Sequence, residues 1–314
     1  MKITRILASS LLAVTLLTAC SPGEASTIDG TTSAGSQETV TLEHDLGTSE
    51  IGGVPARTVV FDYGLLDMLD TLGVEVAALP KTQLPRVLEK YRADSYINAG
   101  SLQEPDFETL AELAPDLILI SERTEAHYGE LSRLASTVYF TTRVDDYLAA
   151  MENNAETVGR IFDKEAEARE AMAEIRTRAE AIKATVEARG ETALILMAND
   201  GALSAYGPAS RFGLIHALGF QPVDASIETS THGQNVTFEY VMDMDPDHIF
   251  VIDRSMIAGG ENTAERMFDN ELIRQTKAYQ TDRIHYLDAF NWYVISGGFN
   301  STGSMLTELE AAVE

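Results

Sequence analysis

The sequence predicts an α/β protein of two lobes joined by a single long helix, and three observations carry that prediction. Apolar β-rich runs alternate with helical periods, a seventeen-residue unit occurs twice, and one long amphipathic tract separates the two copies.

The chain opens with a segment that reads as a secretory signal over residues 1–19. Met1-Lys2-Ile3-Thr4-Arg5 is basic, Ile6 to Leu17 is apolar, and Thr18-Ala19 brings small residues to a cut site. Such a stretch is too short to span a bilayer as a helix. Leu17-Thr18-Ala19-Cys20 resembles the lipobox of bacterial lipoproteins, which implies cleavage before Cys20 and lipidation of its thiol. Cys20 is the chain's single cysteine, so no internal disulfide forms. Residues 20–37 are rich in Gly, Ser and Thr without an apolar period, the composition of a flexible tether.

The first α/β lobe is expected over 38–163. Thr39–His44 alternates in strand fashion, and Thr58–Asp62, Val74–Leu79, Leu117–Ser121 and Thr137–Phe140 read as further strands. The repeat begins in this lobe. Phe107 to Arg123 aligns without gaps on Phe238 to Arg254, with six of seventeen positions identical. Each copy reads as a helix, a Pro-Asp turn, an apolar strand and an acidic-Arg pair just past the strand.

Between the copies, apolar residues step by three or four: Tyr147, Leu148, Met151, Ala155, Val158 and Ile161, then Ala168, Met172, Ile175, Ala179, Ile182 and Val186. Phe162-Asp163 marks a break, with Asp163 read as the cap of a second helix over 164–189. That helix is long enough to reach from one lobe to the other. Its steps are too irregular for a sustained coiled coil. The second lobe follows over 190–314, with strands at Ala193–Met197, His248–Asp253 and Ile284–Leu287. Strands alternating with helices argue for parallel sheets, and hence for two Rossmann-like lobes with a ligand beyond the strand ends.

The charge balance narrows the partners. Without the signal, 21 basic side chains face 49 acidic ones, which excludes a nucleic-acid partner. An anion site must then be locally basic against the global trend. Arg123 and Arg254 follow repeat strands, and Arg211 lies in Gly207-Pro208-Ala209-Ser210-Arg211-Phe212-Gly213, read as the loop after Ala193–Met197. Taken alone, each is an ordinary loop arginine; together, at strand exits in so acidic a chain, they form a candidate anion site.

The order of lipobox, tether, lobe, long helix and second lobe resembles the helix-backbone class of periplasmic binding proteins. Within that class it is most similar to the catecholate-siderophore binders of the enterobactin and petrobactin type. The segments that match are Asp62 to Gly73, the Pro-Asp-Leu-Ile block at 115–118, Ser210-Arg211-Phe212-Gly213, and Trp292-Tyr293-Val294-Ile295-Ser296-Gly297-Gly298. The resemblance implies a membrane-anchored, extracytoplasmic binding protein of an ABC importer, facing the periplasm or cell exterior. Such a protein binds a ferric catecholate siderophore and hands it to the permease dimer as a monomer, without catalysis or an intrinsic cofactor. It implies further that Arg123, Arg211 and Arg254 cradle the catecholate oxygens, and that His232 and Tyr293 bind the siderophore's iron where it supplies too few donors. Glu108 and Glu239, at the same place in the two repeats, are implied as contacts to permease arginines; either is also an ordinary first-turn glutamate.

The chemistry agrees with that implication. Ferric iron takes about six ligands and prefers oxygen, so a bis-catecholate leaves room for a phenolate and an imidazole. Planar guanidinium forks suit paired catechol oxygens better than ammonium groups do. Two rival ligands share the fold. A manganese or zinc carrier needs converging His and carboxylate ligands, whereas the six histidines are scattered. A haem or cobalamin carrier suits Tyr and His but makes less use of three arginines. No Gly-x-Ser-x-Gly elbow, P-loop or His-Glu-x-x-His motif points to an enzyme.

Overall fold

The computed structural model describes residues 39–141, 146–227, 230, 232–258 and 263–314. The signal, the tether and Cys20 lie outside the described residues. Among the described residues no helix is long and apolar enough to cross a membrane.

The chain starts with a hairpin of β1 (Thr39–His44) and β2 (Gly47–Gly52), paired from Thr39↔Gly52 to His44↔Gly47. A parallel sheet follows, formed by β3 (Thr58–Val60), β4 (Ala78–Leu79), β5 (Ile97–Asn98), β6 (Leu117–Ile120) and β7 (Ser136–Tyr139) in the order β5-β4-β3-β6-β7. Its helices are α1 (Tyr63–Thr71), α2 (Phe107–Leu113) and α3 (Tyr128–Leu131). Three expected strands are shorter than read, β6 losing only Ser121. Asp62 leaves β3 to cap α1, accepting from the Gly64 and Leu65 amides at 2.8 and 3.0 Å. Val74 is spent closing α1, its amide donating back to Leu69 over a left-handed Gly73, so only Ala78–Leu79 pairs as β4.

The helical tract forms α4 (Tyr147–Phe162) and α5 (Glu165–Arg189). Ala168, Met172, Ile175, Ala179, Ile182 and Val186 are the buried face of α5, as their spacing predicts. Asp163 plays a different part from the expected one. It closes α4 in the left-handed conformation at φ 54°, and Lys164, without a side-chain cap, begins α5. The turn is so tight that a Cβ on Gly159 would stand 2.9 Å from Glu165 Cα.

The second sheet comprises β8 (Thr192–Asn199), β9 (Ala202–Tyr206), β10 (Gln221–Pro222), β11 (Gln234–Val236), β12 (His248–Asp253) and β13 (Ile284–Leu287). Its order is β11-β9-β8-β12-β13, with β10 also beside β8. The sheet is mixed rather than parallel, because β8 turns back through Asp200-Gly201 into antiparallel β9. Both turn residues have positive φ, 46° and 94°, as the tightest hairpin connections require. Its helices are α6 (Leu214–Ala217), α7 (Phe238–Met244), α8 (Ser255–Ala258), α9 (Ala264–Phe268), α10 (Lys277–Gln280) and α11 (Phe299–Ala312).

Side chains of the central strands alternate between two apolar layers. Leu117 and Leu119 of β6, and Phe250 and Ile252 of β12, join one cluster. Ile118 and Ile120 face a first-lobe cluster, Ile249 and Val251 a second-lobe one. The shared cluster runs unbroken from Leu66 and Met68 of α1 through Val158 and Ile175 to Phe212, Trp292 and Leu306. α11 packs on α1 as well as on α5, so the end of the chain, read as part of the second lobe, also belongs structurally to the first.

Candidate functional site

The two repeat units fold alike. α2 and α7 each end on a left-handed residue, Ala114 and Asp245, and each Pro-Asp carboxylate then reaches the start of a neighbouring strand. Asp116 accepts from the Ala56 and Arg57 amides, and Asp247 from the amide and hydroxyl of Thr192. The strands are pinned at one end, and Arg123 and Arg254 emerge just past the other.

Arg123 leaves the turn after β6 and donates through Nη2 to the Tyr293 carbonyl at 2.9 Å. Its Nη1 stands 3.8 Å from Asp62, whose same oxygen accepts from the Ser121 hydroxyl at 2.7 Å. Arg211 donates to that same Tyr293 carbonyl at 2.8 Å. It lies just before α6, the helix start that the sequence predicts, but follows β9 rather than the strand expected at Ala193–Met197. The guanidinium of Arg211 also lies over the Tyr293 ring, 4.2 Å from its centre, and that of Arg254 lies 5.7 Å away. Arg123 of the first lobe and Arg211 and Arg254 of the second thus meet on one tyrosine.

Tyr293 sits on a short π-turn, Phe290–Val294, closed by the Ile295 amide donating to the Phe290 carbonyl. Beneath it Trp292 is fully buried, its indole N–H donating to Glu308 at 2.6 Å. Phe212 and Tyr206 pack edge to face beside Arg211. Burial pushes the Tyr206 phenol up to about 12, against the pull of Arg211 and Arg254. Tyr206 therefore stays a neutral phenol beside the arginines.

His232 does not join this cluster directly. It is exposed in the turn before β11, its amide donating to the Ser230 hydroxyl, and its imidazole makes no contact with Tyr293 or the arginines among the described residues. The adjoining Gly233 lies against Tyr206 so closely that a Cβ would come within 2.8 Å of the ring. His232 is thereby one residue from the site's edge. Glu108 and Glu239 are exposed in the first turns of α2 and α7, outside the arginine cluster. Backbone and Thr237 donors hold the Glu239 carboxyl below its usual range. Among the described residues no group of three or more His, Cys, Asp or Glu is placed to hold a metal ion.

Sequence reasoning gave no role to Asp62. Its signal was the Asp immediately before an apolar helical period, which marks a helix cap but says nothing of Arg123. Chemically the arrangement can receive an anion: guanidinium groups from both lobes, two of them over the Tyr293 ring, are half-buried, so that their charge is less screened than at an open surface.

Comparisons with known proteins bear on what such a receptor takes. A family model described as periplasmic binding protein matches residues 59–289. The chain is 38% identical to the petrobactin-binding protein YclQ of Bacillus subtilis over all of both chains. The crystal structure of YclQ matches with a TM-score of 0.85 at 40% identity, covering 88% of this chain and 99% of that one. The ferric-anguibactin-binding protein FatB of Vibrio anguillarum is 31% identical over 86% of each chain. The periplasmic catecholate-siderophore binding protein VctP of Vibrio cholerae matches with a TM-score of 0.83 at 33% identity, covering 87% of this chain and all of that one.

Proposed function

The chain belongs to the periplasmic binding protein family, and from that premise we propose that it captures a ferric catecholate siderophore outside the cytoplasm and delivers it to an ABC importer. The observation that carries the ligand class is the meeting of Arg123, Arg211 and Arg254 on Tyr293 in a chain with 49 acidic side chains against 23 basic ones. Three guanidinium groups so placed suit an anionic, oxygen-rich and planar ligand, and relatives named for petrobactin and for catecholate siderophores support that choice.

In this reading the protein binds and releases; it performs no reaction on the ligand and needs no resident cofactor, the iron being cargo. The arginines grip catecholate oxygens, and each charge-assisted bond contributes about 1.5–3 kcal/mol. Tyr293, and His232 after a movement of its turn, complete the iron's shell when the siderophore leaves positions open. Lipidated Cys20 tethers the chain to the membrane, and Glu108 and Glu239 meet the permease dimer, one from each lobe. A Cys20→Ala chain is then expected to lose detergent partitioning.

The decisive experiment titrates the purified full-length chain with ferric petrobactin, a ferric tris-catecholate, a ferric hydroxamate, haem and cobalamin. Tight binding of the catecholates is expected. A preference for haem or cobalamin would overturn the ligand while leaving the family intact.

A further inference from the structure

We propose that Asp67, a fully buried carboxylate of the first lobe, is the positioning residue that holds Tyr293 within the arginine cluster. The proposal rests on reading that cluster as the ligand site. It starts from an irregularity in α11. A helix start leaves amides without intrahelical partners and favours negative charge, but α11 begins at Gly298, which has no side chain to offer. Asp67, on α1, supplies what is missing. Its Oδ2 accepts the Ser301 amide at 2.9 Å, and its Oδ1 accepts the Asn300 side-chain amide at 2.8 Å. The Ser301 hydroxyl lies 3.1 Å from Asp67 and 2.9 Å from the Ile295 carbonyl, so its one proton serves either.

The cap is built into a join without slack. A Cβ on Gly298 would stand 2.1 Å from Asp67 Oδ2, and one on Gly64 would stand 2.4 Å from the Ser296 carbonyl oxygen. The Gly297 amide donates to the Tyr147 hydroxyl at 2.7 Å, which lies 2.8 Å from Thr302 Oγ1. The turn at 296–298 is therefore clasped between α1 and α4. Tyr293 lies three residues before it. The other side of the Tyr293 segment is also tied to α11: Glu308 accepts the Trp292 indole N–H at 2.6 Å and the Asp288 amide at 2.8 Å.

Tyr293 thus hangs between two attachments on α11, and Asp67 fixes the start of α11 to the first lobe. The Tyr293 ring, over which Arg211 and Arg254 of the other lobe lie, moves with that segment. A displacement of about 1 Å is enough to spoil such an arrangement. Asp67 touches neither the arginines nor the space above Tyr293. Its effect on binding must pass through the position of Tyr293.

The test compares wild type and Asp67→Asn in full-length chains titrated with ferric petrobactin, each also in a Tyr293→Ala background. Asn keeps the shape but turns an NH₂ toward donors. About a tenfold or greater loss of affinity is expected with Tyr293 present, and little further loss once the ring is gone. Equal loss in both backgrounds, or none in either, would overturn the proposal; a purely structural role lowers the melting temperature without that dependence on Tyr293. If Asp67→Asn does not fold, the milder Asn300→Ala/Ser301→Ala pair is judged by the same criterion. If the wild-type chain binds no ferric siderophore, the ligand reading falls and the ligand-free emission of Trp292 decides instead. A red shift in the variant supports the proposal, and an unchanged spectrum overturns it.

Discussion

Tyr293 makes two different kinds of contact at once, and they separate the arginines that surround it. Arg211 donates to its carbonyl and lies over its ring, whereas Arg254 makes only the ring contact. Removing Arg254 therefore takes little structure and, in the proposed reading, a ligand donor. Arg254→Ala is expected to weaken ferric catecholate binding by about 1.5–3 kcal/mol with a nearly unchanged melting temperature. Arg211→Ala should lose similar affinity and in addition about 0.5–1.5 kcal/mol of stability, because a bond to the backbone goes with it. Titration and thermal melts on the two variants check this, and an Arg254→Ala chain that binds normally would remove that residue from the site. Much of the site was legible in sequence because Arg123 and Arg254 occupy equivalent places in a repeat. Asp62 was not, since its pairing with Arg123 joins residues about 60 positions apart, which no local pattern reports. His232 was placed by resemblance alone, and its exposed turn shows why a histidine between Thr and Gly carries no positional signal of its own.

At the scale of elements, each repeat combines a short helix, a left-handed exit and a carboxylate that ties down a neighbouring strand. In the second copy burial acts to raise the Asp247 carboxyl, but Lys277 and the Thr192 donors outweigh it and hold the group down at about 2. A carboxylate held lower in the folded than in the unfolded chain stabilises fully above its unfolded value, near pH 3.9, and loses that contribution as the pH falls toward about 2. Asp247→Asn should cost about 1–3 kcal/mol at pH 7. Its urea midpoint should approach that of the wild type as the pH drops through this window, and a gap independent of pH would refute the assignment. The same repeat places Glu108 and Glu239 on matching first turns, away from the arginines. The Glu108→Ala/Glu239→Ala chain is expected to bind the siderophore normally yet support little uptake by cells; normal uptake would end the docking reading. Elements with a strong period, such as α5 and β12, were readable from sequence. β2 was missed because its inward positions are Ser49 and Ile51, too polar a pair to show alternation. The β8–β9 hairpin was readable and overlooked: Asp200-Gly201 between two apolar runs is a strong turn signal.

At the scale of the molecule, a continuous apolar core from α1 to α11 joins the lobes, so folding sets where Arg123, Arg211 and Arg254 stand. What the ligand meets first is charge. The chain carries a formal net charge of −26, and the ferric catecholate is also anionic. At about 10 mM salt the screening length is roughly 30 Å, so the approaching complex feels the whole acidic surface. At about 150 mM it shrinks to roughly 8 Å, and the local field of Arg123, Arg211 and Arg254 is then the larger influence near those residues. Once contact is made, half-buried guanidinium bonds are screened much less than the long-range field. The association rate should therefore rise between low and physiological salt, the reverse of ordinary steering between opposite charges. The dissociation rate should change little. Stopped-flow mixing of the full-length chain with ferric petrobactin across this range, followed by Trp292 emission, measures both rates. In Arg254→Ala the net charge is one unit more negative and the local field weaker, so the same rise should be steeper. A wild-type association rate that falls with added salt would mean that the arginine cluster outweighs the net charge even at long range.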